Sequence, residues 1–122
     1  MTNDISLTDA ARLALQCLDL TSLNDGDTPA DIEALCRRAQ SPFGPVAAVC
    51  VWPRFVAQAR SLLPAGIPVA AVANFPSGEL DLALALADVQ AIVQAGGNEV
   101  DVVLPYRALM AGQVAACAGF LP

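Results

Sequence analysis

The sequence contains no lysine and no histidine, and its six basic residues are all arginines. Without lysine, the chain has neither a P-loop nor a Schiff-base nucleophile of its own. Without histidine, a Ser-His-Asp triad, a Cys-His pair and an HExxH zinc site are excluded. The side chains that remain for chemistry are carboxylates, thiols, hydroxyls, arginines and a single tyrosine, Tyr106.

Charge of either sign is scarce, and its balance is acidic. Only 15% of the 122 residues are charged, and the net charge is −6 at pH 7. A nucleic-acid surface needs clustered basic residues, so we expect no nucleic-acid partner. The long uncharged stretch at residues 61–78 is interrupted by three prolines, so we expect no membrane-spanning helix there.

The start of the chain and its cysteines are typical of a cytoplasmic protein. Residues 2–10 read TNDISLTDA, which lacks the basic region and apolar run of a signal peptide. The four cysteines form no CxxC pair, so their spacing does not support a zinc site. We therefore expect reduced thiols and a cytoplasmic location.

Four apolar segments of strand length alternate with helical segments after a leading helix. The hydrophobic fraction of 56% favours strands buried on both faces, as in parallel sheets. The strands recur about every 25–30 residues, which is typical of βα units. The predicted strands lie within residues 18–25, 46–52, 69–75 and 99–104, and the later helices within residues 27–40, 53–63, 79–95 and 106–122.

Short polar side chains predict where the helices begin. Thr8 is expected to cap the leading helix, and Thr28, followed by Pro29, to cap the second. Ser77 or Gly78 is expected to start the helix before the Gly96-Gly97 stop.

These units fit two α/β architectures. One is a small open, doubly wound sheet; the other is the first half of a (β/α)8 TIM barrel, which typically needs about 250 residues. No GxGxxG follows any strand, which disfavours a dinucleotide-binding sheet. Polar residues occupy corresponding places on the four strands, as in a barrel that gathers its chemistry from several strands: Asp19, Cys50, Asn74 and Asp101. No low-complexity linker divides the sequence, so residues 1–122 are interpreted as a single domain.

Asp101 lies inside the apolar segment EVDVVL. A buried, unpaired carboxylate costs several kcal/mol or becomes neutral. Two interpretations stay open. Asp101 can face water from an edge strand, or it can face inward with a cation, supplied by Arg54, by Arg107 or by chain outside this sequence.

Other candidates also have a plain structural interpretation. Cys50 can be a small buried hydrophobe. Asp19 can cap the polar turn that follows it. Tyr106 and Arg107 can be a solvated helix start or an anion contact.

Four motifs in order, LDLTSLND, CVWPRF, VANFPSG and EVDVVLPYRALMAG, resemble the deoxyribose-phosphate aldolases. The resemblance runs from about residue 10 to residue 112 and matches the first half of the family. EVDVV, followed by the proline and YRALMAG, is the most specific part.

The resemblance implies a TIM barrel and a class I aldolase. Its reaction is the reversible cleavage of 2-deoxyribose 5-phosphate to acetaldehyde and glyceraldehyde 3-phosphate through a lysine Schiff base, without metal or organic cofactor. Asp101 matches the family's catalytic aspartate, which works with a second lysine in proton transfer. The substrate-pocket positions match Asp19, Thr21, Leu23, Cys50 and Phe75.

The family's two lysines and its phosphate-binding residues lie on later strands than this sequence contains. We therefore expect only about the first four βα units after a leading helix, a partial domain that has no aldolase activity alone, while the phosphosugar is the substrate expected for the full-length enzyme. An alternative is a non-catalytic half-barrel that self-associates, as a homo-oligomer, or binds a complementary chain through exposed sheet edges. A third hypothesis is an enzyme that uses only Asp19, Cys50 and Asp101.

Overall fold

Parallel pairing joins four of the strands into one sheet in the computed structural model, which describes residues 4–120. The sheet order is β1-β4-β5-β6, with β1 and β6 at its edges, and β2 and β3 form a separate antiparallel hairpin. Within the described range the strands are β1 (Asp19–Thr21), β2 (Gln40–Ser41), β3 (Gly44–Pro45), β4 (Ala48–Val51), β5 (Val69–Ala73) and β6 (Glu99–Val102). The four predicted strands are confirmed, while the hairpin was not foreseen.

Helices precede, connect and follow the strands of the sheet. They are α1 (Leu7–Gln16), α2 (Pro29–Arg38), α3 (Val56–Leu62), α4 (Leu82–Gln94), α5 (Tyr106–Met110) and α6 (Val114–Ala118), with a 3-10 turn at Pro53–Phe55 before α3. The last predicted helical segment divides at Gly112, whose φ of 85° ends α5. Two ends of the chain lie outside the described residues: residues 121–122 of that helical segment, and residues 1–3 of the stretch considered for a signal peptide. No helix within residues 4–120 is both long and apolar enough to cross a membrane.

Capping residues account for the helix starts, but two of the predicted caps are wrong. Thr28 is the cap of α2, as predicted, and it forms a capping box with Asp31: each side chain accepts a hydrogen bond from the other residue's backbone N–H. The leading helix is capped by Ser6 rather than Thr8, because the Ser6 hydroxyl accepts from the N–H of Asp9. Asp81, rather than Ser77 or Gly78, caps α4 by accepting from the N–H of Leu84.

The main core lies on one face of the sheet, between the strands and the helices. Val49, Val51, Val69 and other buried strand residues meet the buried residues of α2, α3 and α4 there. The opposite face holds a smaller cluster in which Cys50, Ala70 and Val72 are the buried members. A doubly wound sheet carries helices on both faces, whereas a barrel keeps them outside and packs side chains inside. The single helix-covered face therefore favours the TIM-barrel interpretation over the open sheet.

Ile92 tests the packing of α4 on the sheet. It is fully buried, while its neighbour Val93 is 63% exposed. Ile92→Ala should lower the free energy of unfolding by about 2–5 kcal/mol, because a cavity replaces buried methyl groups. Val93→Ala is the matched control and should change it by less than about 0.5 kcal/mol. Urea unfolding followed by circular dichroism measures both, and equal losses would contradict this packing.

Candidate active site

The helix-free face of the sheet collects the side chains singled out by sequence. Parallel partners in register point to the same face, and the row Thr21, Cys50, Ala70, Glu99 is in register. Asp19 is two residues before Thr21, and Asp101 is two residues after Glu99, so both point to this face as well. Leu23 and Phe75 pack against its buried cluster. All six predicted site residues therefore lie at one face: Asp19, Thr21, Leu23, Cys50, Phe75 and Asp101.

Cys50 and Asp101 are in direct contact across this face. The Cys50 thiol donates to Asp101 Oδ2 over 3.8 Å, and Cys50 is only 3% exposed. Burial raises the pKa of the Cys50 thiol to about 11, with further contributions from the charges of Asp101 and Asp19. The thiol is therefore protonated at neutral pH. Because the thiolate is the nucleophile, this argues against the hypothesis of an enzyme that uses carboxylates and a thiol.

Asp101 combines features of both interpretations that the sequence left open. It lies on the edge strand β6 and is exposed, while Val100 and Val102 pack toward the helix-side core. It nevertheless points to the helix-free face, next to Cys50.

The predicted arginine partners of Asp101 are wrong. Arg54 donates to the carbonyl of Asp25 over 3.3 Å, and its guanidinium lies over the rings of Trp52 and Phe55. Arg107 forms an ion pair with Glu79 at 2.9 Å. Among the described residues, no arginine forms an ion pair with Asp101. Each guanidinium instead binds a carbonyl of a loop that the fold brings next to it, and the sequence does not indicate these contacts.

The polar turn after β1 is held by Asp27 rather than by Asp19. Asp27 accepts hydrogen bonds from the hydroxyl of Ser22 at 2.6 Å and from the backbone and side-chain amides of Asn24. The bond from Ser22 contributes most to lowering the pKa of Asp27 below its usual value. Asp19 takes part locally through its carbonyl, which accepts from the Thr21 hydroxyl. The interpretation of Asp19 as the turn cap is therefore wrong, and its carboxylate is exposed at the sheet face.

Trp52 is a site residue that the sequence reasoning missed. Its ring meets that of Phe75 edge to face, with centroids 5.3 Å apart, and its indole N–H donates to the carbonyl of Asn24. Trp52 follows Cys50 by two positions, so the period-two rule could have placed it on the same face. Together with Leu23, the two rings form an apolar wall beside Cys50.

Asn74 was grouped with the polar strand residues, but its contacts are those of a structural brace. It is 2% exposed and has a φ of 56°, a conformation that asparagine tolerates. Its side-chain amide donates to the carbonyls of Glu79 and Val103, both at 2.9 Å. Its backbone N–H donates to Asp88. Asn74 thus ties the end of β5 to the segments on either side.

The described part of the chain contains no candidate metal site. No three Cys, Asp or Glu side chains of residues 4–120 come together in a way that could hold an ion. Carboxylates, a protonated thiol, a hydroxyl and an apolar wall are the groups that this face offers to a small polar molecule.

A parallel sheet that is covered by helices on one face and gathers polar side chains on the other fits part of a TIM-barrel-type fold. Residues 13–118 match the family described as DeoC/LacD family aldolase, and the chain belongs to that family. It is 49% identical over 112 residues to a deoxyribose-phosphate aldolase from Agrobacterium fabrum, covering 90% of this chain and 43% of that protein.

Solved structures agree in fold. A protein from Coccidioides immitis assigned as a deoxyribose-phosphate aldolase matches with a TM-score of 0.83 and 26% identity, over 89% of this chain and 43% of that one. A tetrameric deoxyribose phosphate aldolase from Aeropyrum pernix matches with a TM-score of 0.65 and 25% identity, over 89% and 49%. The chain thus spans about half the length of the relatives it matches.

The raised pKa of Cys50 predicts slow alkylation. With a pKa of about 11, only about 0.1% of Cys50 is thiolate at pH 8. Iodoacetamide labelling, read by peptide mass spectrometry, should therefore modify exposed Cys17 first, and the rate at Cys50 should rise about tenfold per pH unit up to pH 10. Asp101→Asn removes a negative charge that opposes the thiolate, so it should speed labelling of Cys50 but not of Cys17. Rapid labelling of Cys50 at pH 7 would contradict the assignment.

Proposed function

We propose that residues 1–122 are a single partial domain, the first four βα units of a deoxyribose-phosphate aldolase barrel. The whole protein would cleave 2-deoxyribose 5-phosphate reversibly to acetaldehyde and glyceraldehyde 3-phosphate through a lysine Schiff base. The observation that carries the proposal is the gathering of six family site positions on one helix-free face, in a chain 49% identical to a deoxyribose-phosphate aldolase.

In this proposal Asp101 is the catalytic acid–base group. Closure of the barrel would remove water from the face on which Asp101 lies, and a desolvated carboxylate needs a cation to stay charged. Lysines from later strands would supply that cation. Asp101 would then exchange a proton with one of them during the reaction. A carboxylate inside an apolar segment is thereby explained.

The remaining residues of the face would shape the pocket. The Asp19 carboxylate and the Thr21 hydroxyl oxygen both offer acceptors for a sugar hydroxyl, since the Thr21 proton is donated to the Asp19 carbonyl. Leu23 and Phe75 provide an apolar wall suited to the short carbon chain of an aldehyde. Cys50, protonated and in contact with Asp101, would form a small neutral surface between these groups.

A second candidate is a non-catalytic half-barrel module in the cytoplasm. Its support is the open architecture of the described chain, in which β1 and β6 are sheet edges. An unpaired edge offers backbone donors and acceptors to another strand, so such a module would self-associate or bind a complementary chain. The aldolase from Aeropyrum pernix is tetrameric, which makes homo-oligomers reasonable for a complete protein as well.

The 122-residue chain alone should not cleave 2-deoxyribose 5-phosphate. It has no lysine, so no Schiff base can form on a side chain. Acetaldehyde release, coupled to NADH oxidation by alcohol dehydrogenase, measures the activity, with the Agrobacterium fabrum aldolase as positive control. Turnover by the pure chain would reject the lysine mechanism for this protein.

A chimera tests the role of Asp101. This chain, fused to the remaining segment of the Agrobacterium fabrum aldolase, should be active, because the two parts together would supply the complete pocket. Asp101→Asn in the chimera should lower kcat by about 10²–10⁴-fold, since a proton-transfer group is lost. Glu33→Gln removes a carboxylate of the same charge from the exposed side of α2 and should leave kcat unchanged.

Two outcomes of the chimera experiment would contradict the proposal. A folded but inactive chimera would reject aldolase function for this segment. An active chimera in which Asp101→Asn has no more effect than Glu33→Gln would retain the function and reject the role of Asp101.

A further inference from the structure

One side chain, Arg107, connects the loop after β5 to the start of α5. Its Nη2 donates to the carbonyl of Ser77 at 2.6 Å and to Glu79 Oε1 at 2.9 Å. Its Nη1 donates to the hydroxyl of Tyr106 at 2.8 Å, and its guanidinium lies 5.0 Å from the centroid of that ring. A planar guanidinium can make several such bonds in a fixed geometry, which an ammonium group cannot reproduce.

Gly78 shows independently how closely the two segments approach. Its φ is +61°, and a Cβ at this position would lie 2.6 Å from the carbonyl oxygen of Leu104 and 2.8 Å from the ring of Tyr106. Only glycine permits both the conformation and the contact. The backbone of the loop is therefore in close contact with the connection between β6 and α5, with no space for a side chain between them.

Asn74 adds a third link between the same segments. Its side-chain amide joins the carbonyl of Glu79, in the loop, to that of Val103, just after β6. Both segments leave the carboxyl ends of parallel strands, which is where TIM barrels carry their active sites. The two loops thus form one braced unit at the functional edge of the sheet.

Two proposed site residues flank this brace. Phe75 precedes Ser77 by two positions, and its ring rests on Trp52. Asp101 lies on β6, which leads directly to Leu104 and Tyr106. Any shift of the loop relative to α5 would therefore move Phe75 relative to Asp101.

We propose that Arg107 is a positioning residue: it fixes the loop at residues 74–79 against α5 and thereby sets the place of Phe75 relative to Asp101. Its relevance to catalysis rests on the proposed aldolase function, whereas the positioning itself does not. The Glu79–Arg107 ion pair is more than half exposed, and exposed pairs contribute little. The bond to the Ser77 carbonyl is therefore the Arg107 contact that holds the loop, and the adjacent Tyr106 ring orients the guanidinium for it.

Nuclear magnetic resonance of the ¹⁵N-labelled 122-residue chain tests the positioning. Trp52 is the single tryptophan, so its indole N–H gives one signal that reports on the Phe75 ring. Arg107→Ala should shift the Trp52 indole and Phe75 amide signals. It should also speed hydrogen exchange at the Gly78 amide, which donates to the carbonyl of Asn74, about tenfold.

Three further variants separate the contacts. Arg107→Lys keeps the positive charge but loses the planar set of guanidinium donors, so it should not restore the wild-type signals. Glu79→Gln removes only the ion pair and should leave the Trp52 and Phe75 signals in place. Arg12→Ala is the matched control for charge, since exposed Arg12 pairs only weakly with Asp9, at 3.8 Å, on α1. It should leave all signals of the loop unchanged.

Unchanged Trp52, Phe75 and Gly78 signals in Arg107→Ala would overturn the proposal, as would equal shifts in Arg12→Ala. If Arg107→Ala fails to fold, Tyr106→Phe, which removes only the hydroxyl acceptor, gives the same readout in milder form. In an active chimera, Arg107→Ala should lower kcat/KM about tenfold, while Arg12→Ala has no effect. If Arg107→Ala shifts the signals but the chimera is inactive, the positioning role of Arg107 is kept and the aldolase function is rejected. If Arg107→Ala leaves the signals unshifted and the chimera is active, the aldolase function is kept and the positioning role is rejected.

Discussion

The uncovered face of the parallel sheet is the constraint from which the rest of the structure follows. Parallel sheets are normally buried on both faces, and here the helices of the core cover only one. The other face combines buried small residues, such as Ala70 and Val72, with exposed carboxylates. That mixture suits neither open solvent nor a plain hydrophobic core. It suits the interior of a barrel, in which opposite strands cover the face and a pocket remains between them.

Asp101 illustrates why such a face is chemically useful. In the described chain its carboxylate is solvated on one side and touches the Cys50 thiol on the other. Its negative charge helps to keep that thiol protonated, so the pair has one charged and one neutral member. Removing the remaining water would turn a tolerated carboxylate into a strong acceptor for a nearby cation or proton. Under the proposed function, groups from later strands would supply the partner that this carboxylate needs for acid–base chemistry.

Local patterns in the sequence predicted the elements, whereas contacts between distant residues decided the details. The four strands and the Thr28 N-cap depend on neighbouring residues and were predicted correctly. The start of α4 was misplaced because Gly78 is held under Tyr106, 28 residues later, so the helix cannot begin there. The partners of Arg54 and Arg107 were missed for the same reason: both guanidinium groups bind loop carbonyls that only the tertiary fold brings near.

The charges of the open face bear on what can cover it. Within the four strands of the sheet, this face carries Asp19, Glu99 and Asp101 but no basic residue. Two copies packed face to face would bring these carboxylates together, and two like charges 4 Å apart repel by about 4 kcal/mol even at an effective dielectric constant of 20. Self-association through the edges β1 and β6 avoids that cost, but it leaves the face in water. A cover with inward cations satisfies both the apolar cluster and the carboxylates, and the lysine-bearing strands implied by the family resemblance have that character. The charge pattern therefore favours a complementary half-barrel over a second copy of this chain.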